Sequence, residues 1–424
     1  MLTPTKPPRV FLTSLGCRLN QSELETWKRS LAAAGCQLVD GPAKADLCIV
    51  NSCTVTHVAA RKSRQLARRC HTLNASAQVL LTGCYAQMSP DQAQRLDGIT
   101  LVLGNQDKED LVQRALQMLG LPQPRAVATS VPTSSLRTRA LVKIQDGCDN
   151  ACSYCIVRVA RGSQKSRALT EVVREVEARS NEGYQEIVLT GVHIGAYGRD
   201  SGESLDSLVR AILSDTPVLR LRLSSIEPWD VKPSFLHLWQ DHRLCRHLHL
   251  PLQSGCDATL HRMNRHYTTA EYEGLVQEAR ARIPGLAVTT DVIVGFPGED
   301  AGEFEQSASF VRGLSFARLH VFPYSPRPGT PASTMSLQVS PKVKQLRAQD
   351  MQMIGRQSSE QYRGRFLDCV LPVLWETCRS GVWTGFTDNY LRVETRSQLS
   401  LHNRIVDTRL LKLTEQGLYG ALMA

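Results

Sequence analysis

The segment DGCDNACSYC carries three cysteines in the spacing C-x3-C-x2-C: Cys148, Cys152 and Cys155. Three thiolates on one loop can hold three corners of a cubane iron–sulfur cluster, leaving the fourth iron open to a non-protein ligand. Structural zinc takes four closed ligands, commonly as two paired motifs, and no second C-x2-C exists here. The spacing therefore favours a cluster over zinc. A second set is dispersed: Cys17 in SLGCRLNQSE, Cys53 in VNSCTVT and Cys84 in TGCYAQ, each just after an apolar run. If those runs are strands of one alternating α/β sheet, their ends share an edge and the three thiols can converge. Buried cysteines also fill apolar strands without any chemistry. Cys48 in DLCIV reads that way, whereas glycine and polar neighbours favour ligation for the other three.

The elements that must position these thiols are legible as alternating patterns. VFLTSL (10–15), DLCIVN (46–51), QVLLTG (78–83) and ITLVLG (99–104) have strand character, with helical spacing between them, which predicts a doubly wound parallel α/β unit over 1–119. Residues 120–138 hold three prolines and a Ser/Thr cluster and read as a linker. A second series follows over 139–361, with strands expected at 140–146, 186–191, 218–225, 247–252, 286–295 and 317–325. Six strand–helix repeats are too few for an eight-fold barrel. They fit a partial (β/α)6 barrel, with an open doubly wound sheet as the alternative. Residues 362–424 change to short strands alone, about five, as in a small antiparallel β-barrel.

The composition sets the context. The chain has 424 residues, 13 cysteines and a formal net charge of +10, which suits an anionic partner. No apolar run approaches the roughly 20 residues needed to span a bilayer, and the start MLTPTKPPRVF lacks an apolar signal core. A cytoplasmic protein is expected, in which an odd number of reduced thiols speaks against a disulfide framework. Two basic stretches free of acidic residues stand near the cysteine sets. Residues 57–72 include Arg61, Arg64 and Arg68 on one helix face, and residues 158–167 include Arg158, Arg161, Lys165 and Arg167. Both are candidate phosphate contacts or plain solvated faces. The 362–424 region is nearly charge-balanced, so Trp383 and Tyr390 are candidates for contacts through shape and stacking, while Trp375 and Trp383 could equally be core.

The three-cysteine loop, with aromatic Tyr154 before its last cysteine, resembles the radical S-adenosylmethionine (SAM) superfamily. That resemblance implies that SAM binds the open iron through its amino and carboxylate groups and is cleaved by one electron to a 5′-deoxyadenosyl radical. The phrases around Cys17, Cys53 and Cys84 resemble the methylthiotransferase family, which implies a second four-iron cluster there. LTGVHIGAYG, LRLSSIEP, HLPLQSGCDATLHRMNRHYT and TTDVIVGFPGE are similar to that family's barrel motifs. By analogy, Thr190 and Gly191 lie beside the SAM amino group, Ser224 or Ser225 and Glu227 near its ribose, and Val292, Ile293, Val294 and Gly295 along its adenine. Residues from about 362 resemble the RNA-binding TRAM barrel. Cys36, Cys70, Cys245, Cys256, Cys369 and Cys378 match no family motif and read as packing or surface residues.

Among known branches, SCTVTHVAARKS, GCYAQ and VKIQDGCDNACSYCIV most resemble enzymes that act on N6-threonylcarbamoyladenosine of tRNA. The resemblance implies 2-methylthiolation of that base at position 37, two four-iron clusters, SAM, a tRNA substrate and an unidentified electron donor, with neither DNA nor membrane as a partner. Alternatives are the isopentenyladenosine branch, the branch acting on a ribosomal-protein aspartate, and a non-catalytic RNA-binding protein with a structural metal site. One departure is Arg158, where the family usually carries proline.

Overall fold

The computed structural model describes residues 6–122 and 138–423; the expected linker falls almost wholly outside them. Its first sheet contains β1 (Arg9–Ser14), β2 (Gln37–Leu38), β3 (Leu47–Ser52), β4 (Gln78–Gly83) and β5 (Leu101–Leu103), all parallel in the order β2-β1-β3-β4-β5. Every residue of β3 is buried, as a central strand covered on both faces requires. Helices α1 (Arg18–Ala33) and α5 (Leu111–Met118) cover one face with Leu24, Trp27, Leu31, Leu111 and Leu116. Helix α2 (His57–Leu73) covers the other with Ala60, Ala67 and Cys70, and short α3 (Cys84–Met88) and α4 (Pro90–Gln94) follow β4. Thr56 caps α2 by accepting the Ala59 N–H at 3.1 Å. Strand β2 is too short to leave a sequence pattern. Helix α3 begins where Gly83, at φ +95°, breaks the strand.

The second unit has six parallel strands, as expected for the partial barrel. They are β6 (Arg139–Lys143), then, after a small hairpin of β7 (Gln145–Asp146) and β8 (Lys165–Ser166), β9 (Glu186–Thr190), β10 (Leu221–Leu223), β11 (His247–His249), β12 (Ala287–Val294) and β13 (Arg318–Pro323). Strands β6, β9 and β10 form one run and β11, β12 and β13 another. Single parallel bridges, Leu221 to Leu244 and Ser225 to His249, join the two runs. Outside lie α6 (Val157–Arg161), α7 (Leu169–Asn181), α8 (Leu205–Asp215), α9 (Pro233–Leu236), α10 (Asp257–Arg262), α11 (Thr269–Arg282) and α12 (Ala301–Leu314). The apolar faces of α7 to α12 join the outward side chains of the strands in one large core. Val292 and Val294 belong to it, while Thr289, Asp291 and Ile293 take the alternate, inward positions of β12.

A long helix, α13 (Pro341–Gly364), leads to a closed barrel of β14 (Val370–Arg379), β15 (Val382–Thr387), β16 (Arg392–Arg396), β17 (Arg404–Leu413) and β18 (Leu418–Leu422), which fits a TRAM domain. Trp375 and Trp383 are both buried in its core, so Trp383 is a packing residue rather than an exposed stacking platform. The turn after β15 docks on the six-stranded unit. Fully buried Arg222 bonds both oxygens of Glu186 at 2.6 and 3.0 Å and donates to the Asp388 carbonyl at 2.9 Å, while Arg246 grips the Asp388 carboxylate. Tyr390, at φ +67°, is wedged beneath this turn, with Arg222 4.4 Å from its ring centre and His247 stacked on it. A left-handed non-glycine residue persists only where surrounding contacts over-determine it. The expectation that Tyr390 serves RNA stacking is thereby corrected.

Burial alone would raise the Glu186 carboxyl, but Arg222 and Arg139 hold it down at about 2. Because the folded value is depressed, its stabilisation is present above the ordinary glutamate range and is lost as pH falls through about 2. Glu186→Gln is expected to remove on the order of 3 kcal/mol of acid-dependent stability. Urea midpoints measured from neutral pH downwards should show a flatter acid limb in the variant than in the wild type.

Candidate active site

The cysteine loop leaves β7 through Gly147, whose φ of +67° and crowded surroundings require glycine: a Cβ there would stand 1.9 Å from the Ser163 carbonyl oxygen. Gln145, fully buried, fastens the loop. Its amide donates to the Asp146 and Gly147 carbonyls, and its oxygen accepts from the N–H groups of Val192 and His193. The Cys148 N–H reaches the Gly162 carbonyl, and Ser153 bonds the carbonyls of Arg262 and Met263 at the end of α10. Cys148 opposes ionisation of Cys152, both oppose ionisation of Cys155, and burial pushes Cys155 up to about 12. Among the described residues, no group of three His, Cys, Asp or Glu side chains closes around a single metal ion. A cubane suits the open arrangement, because its thiolate corners are spread around several irons rather than one.

Charged neighbours surround this loop. Arg265, buried between the Trp229 and Tyr267 rings, donates to Cys152 Sγ at 3.5 Å and pairs with both oxygens of Glu227. Its charge favours the thiolate against the burial that raises the Cys152 thiol. His193 places Nδ1 3.8 Å from Cys148 Sγ and Nε2 2.5 Å from Asp230. Burial opposes the imidazolium, but the bonds to Asp230 and Cys148 push His193 up to about 9. Neither Arg265 nor His193 stands out in the sequence, although both lie inside the motifs quoted above. Tyr154 packs on a small cluster of Met263, Phe296 and Tyr324, alongside Ile293.

The dispersed set does converge. Strands β1, β3 and β4 are neighbours, so Cys17, Cys53 and Cys84 follow adjacent strand ends. Gly16, at φ +104°, lets Cys53 approach: a Cβ would meet its Sγ at 2.9 Å. Ser63 of α2 clamps Cys53 by accepting its N–H and donating to its carbonyl, each at 2.9 Å. Burial, with smaller effects of Cys84 and Cys17, pushes Cys53 up to about 11. Asn105 donates to Cys84 Sγ and, at 2.6 Å, to the Ala160 carbonyl of α6. Binding of a metal group here must therefore release protons. Cys36, Cys48, Cys70, Cys245 and Cys256 are buried apart from these sets, as packing residues should be; Cys369 is half-buried and Cys378 exposed.

Arg161 ties the two sets together. Its side chain is only 3% exposed and bonds Glu23, Asp146 and Asn20, so it is a buried linchpin and cannot meet a phosphate, contrary to expectation. Lys165 pairs with Glu109 and Arg167 with Glu175, which leaves Arg158 as the exposed arginine of that stretch outside any ion pair among the described residues. Arg158 is the second residue of α6, in the first turn, where its amide has no helical partner and a proline would remove no helical hydrogen bond. On α2, Arg61 and Arg68 are exposed, opposite the buried Ala60, Ser63 and Ala67, while Arg64 lies over the Tyr85 ring.

A cavity of about 470 Å³ opens beside Cys17; Cys148, Cys152 and Cys155 are not among its lining residues. Cys17 lines it from one side, and Thr190, Gly191, Ser224 and Ser225 line it from the six-stranded unit. Glu227, held by Arg265, and Gly295, whose N–H donates to Glu299, are not among its lining residues. Val292 and Val294 turn their side chains outward, so only their backbone could meet a cofactor in the interior.

A half-barrel with three thiols at the end of its first strand, faced by a second thiol set, defines a radical SAM protein with an added N-terminal unit. The Radical SAM superfamily model matches residues 142–311, and the model of "Uncharacterized protein family UPF0004" matches residues 9–104. Threonylcarbamoyladenosine tRNA methylthiotransferase MtaB of Bacillus subtilis (strain 168) is 36% identical over 428 residues, covering 95% of this chain and 94% of that protein. Its namesake from Thermotoga maritima is 37% identical over 399 residues, covering 91% of each. The radical SAM methyltransferase TsrM from Kitasatospora setae shares the fold, with a TM-score of 0.56 at 18% identity over 77% of each chain. This chain belongs to the MtaB family of methylthiotransferases. Membership of the radical SAM superfamily implies SAM and a four-iron cluster as cofactors. Among the described residues, no helix is long and apolar enough to cross a membrane.

Two glycines of the cysteine loop make a paired test. Gly162 has φ +75° and ψ −164°, and nothing lies within 4 Å of the point where an alanine methyl would stand, so Gly162→Ala should cost only the backbone strain of that glycine-favouring region, about 1–3 kcal/mol. Gly147→Ala must in addition displace the Ser163 carbonyl. Thermal melts should show a clearly larger loss for Gly147→Ala, together with weaker iron–sulfur absorbance after anaerobic reconstitution.

Proposed function

We propose that this chain converts N6-threonylcarbamoyladenosine at position 37 of tRNA into its 2-methylthio derivative. The observation that carries this reading is the cavity that Cys17 of the second thiol set shares with Thr190, Gly191, Ser224 and Ser225 of the half-barrel. Replacing the hydrogen on one ring carbon by sulfur requires hydrogen removal and sulfur delivery at the same point, so both functions must open on one space. The activity named for the B. subtilis and T. maritima relatives agrees with it.

Cys148, Cys152 and Cys155 are assigned to the cluster that works with SAM, and Cys17, Cys53 and Cys84 to a second four-iron cluster on the sulfur side. Bound there, cluster and SAM supply the one-electron chemistry that yields a radical able to take hydrogen from C2 of adenine. The protein's own part is position and charge. Gln145 holds the cysteine loop against the Val192–His193 backbone, and Arg265 sets a cation beside Cys152. Arg161 and Lys108 do the same beside the second set, where Cys84 acts on both. The chain divides accordingly into units of 1–119, 139–361 and 362–424, and the exposed face of α2 with Arg158 is assigned to tRNA phosphates.

Reconstituted anaerobically, the protein should bind about eight irons, four per cluster. Replacing Cys148, Cys152 and Cys155 by alanine should halve the iron and abolish SAM cleavage. Replacing Cys17, Cys53 and Cys84 should halve it while leaving cleavage to 5′-deoxyadenosine intact; full iron in that variant would refute the second cluster. Mass spectrometry of nucleosides from cells with and without the protein tests the substrate, and an unchanged 2-methylthio-threonylcarbamoyladenosine peak would refute it.

The phosphate assignment has its own measurement. Arg61→Ala and Arg68→Ala should each weaken tRNA binding about equally across sequences and flatten the slope of log affinity against log salt by somewhat under about one unit. Unchanged slopes in both would make that helix face a solvated surface.

A further inference from the structure

The cavity beside Cys17 carries more positive charge than the chemistry at C2 uses. Arg18, next to Cys17, and Arg318, on β13, both line it. Neither forms an ion pair with a carboxylate among the described residues, whereas the nearby Arg139, Arg222, Arg246 and Arg265 all do. Arg18 donates one N–H to the Tyr390 hydroxyl at 2.9 Å, which leaves its other donors free of carboxylate. The cavity's own carboxylate, Asp291, lies 3.4 Å from His249 Nε2 and 3.8 Å from His320 Nδ1. Two guanidiniums against one aspartate leave one positive charge uncompensated when the histidines are neutral. Arg18 and Arg318 both depress the His320 imidazolium, so both cations stand near the same histidine.

A guanidinium that lines a cavity without a carboxylate partner is a site for an anion, and its planar fork suits a carboxylate. In adenine, C2 and C6 flank the same ring nitrogen, N1. When C2 faces Cys17 and the SAM side, a substituent on N6 therefore lies within the same cavity. A threonylcarbamoyl group ends in a carboxylate; an isopentenyl group carries no charge.

We propose that Arg18 and Arg318 hold the threonyl carboxylate of the substrate and thereby select threonylcarbamoyladenosine over adenosines with an uncharged N6 group. This rests on the substrate reading above and adds the residues that make the choice. Arg318, whose guanidinium has no hydrogen-bond partner among the described residues, is the main determinant, and Arg18, steadied by Tyr390, is the second.

The test uses the full chain reconstituted anaerobically, with anticodon stem-loop RNAs that differ only at position 37: threonylcarbamoyladenosine, its carboxamide, isopentenyladenosine or adenosine. Wild type should bind the acid at least about tenfold more tightly than the carboxamide, the loss of one charge-assisted bond. Arg318→Gln should reduce that preference to about twofold or less, raising KM for the acid with little change in kcat, and leave affinity for the other three RNAs unchanged. Arg318→Lys should keep part of the preference. Iron content and SAM cleavage without RNA serve as the folding controls. Equal weakening of all four RNAs would assign Arg318 to a phosphate and overturn the proposal, as would loss of SAM binding in the variant. If wild type makes no 2-methylthio product from the threonylcarbamoyl RNA, the substrate reading itself fails, a result separate from a wild type that makes product but ignores the carboxylate.

Discussion

The geometry between the two thiol sets depends on one buried carboxylate. Glu23, on α1, meets Lys108 at 2.7 Å, Arg161 at 3.1 Å and Lys143 at 3.6 Å. Burial alone would raise its carboxyl, but these three cations hold it far below the ordinary range. Arg161 in turn bonds Asp146, the residue that precedes the Gly147–Cys148 turn. One guanidinium thus fixes α1, which begins just after Cys17, against the loop carrying Cys148. Breaking a buried pair by removing one partner typically costs roughly 3–5 kcal/mol, because the other charge stays in place without compensation. Such a knot resists small displacements, and the proposed reaction, in which two sites act on one carbon, calls for that rigidity.

The same cluster has an electrostatic consequence. Lys108 and Arg161 both feel Cys84, and Arg161 also feels Cys17, so their charge is presented to the thiol set as well as to Glu23. On the opposite side, Arg265 is paired with Glu227 and still reaches Cys152. Each thiol set therefore has a buried cation whose position is secured by a carboxylate. That arrangement allows thiolates to form in surroundings whose burial otherwise keeps Cys53 and Cys155 protonated.

The C-terminal barrel also enters this space. Its turn inserts Tyr390 between Arg18, Arg139, Arg222 and His247, and the ring lines the cavity next to Cys17. A barrel that fits an RNA-binding domain thus forms part of the wall of the cavity that Cys17 lines. Its docking rests on the Arg222–Glu186 and Arg246–Asp388 pairs.

Much of this was legible from residue order. Apolar alternation gave the parallel sheet, the six strands of the partial barrel and the five of the small barrel, because each pattern reports which faces of an element are covered. The tight spacing of Cys148, Cys152 and Cys155 named its chemistry locally, and strand ends placed Cys17, Cys53 and Cys84 on a common edge. What remained hidden were partners far apart in sequence: Arg161 with Glu23, Arg265 with Cys152, Ser63 with Cys53, Tyr390 with Arg18. A charge in a sequence looks the same whether it will face water or a buried carboxylate. Arg158 and Arg161 share one basic stretch, yet one is exposed and the other 3% exposed. Local pattern determined the elements and the cluster motif; only the packing of one unit against another decided which charges became structural and which were left facing the cavity, because burial and pairing are properties of the assembled chain.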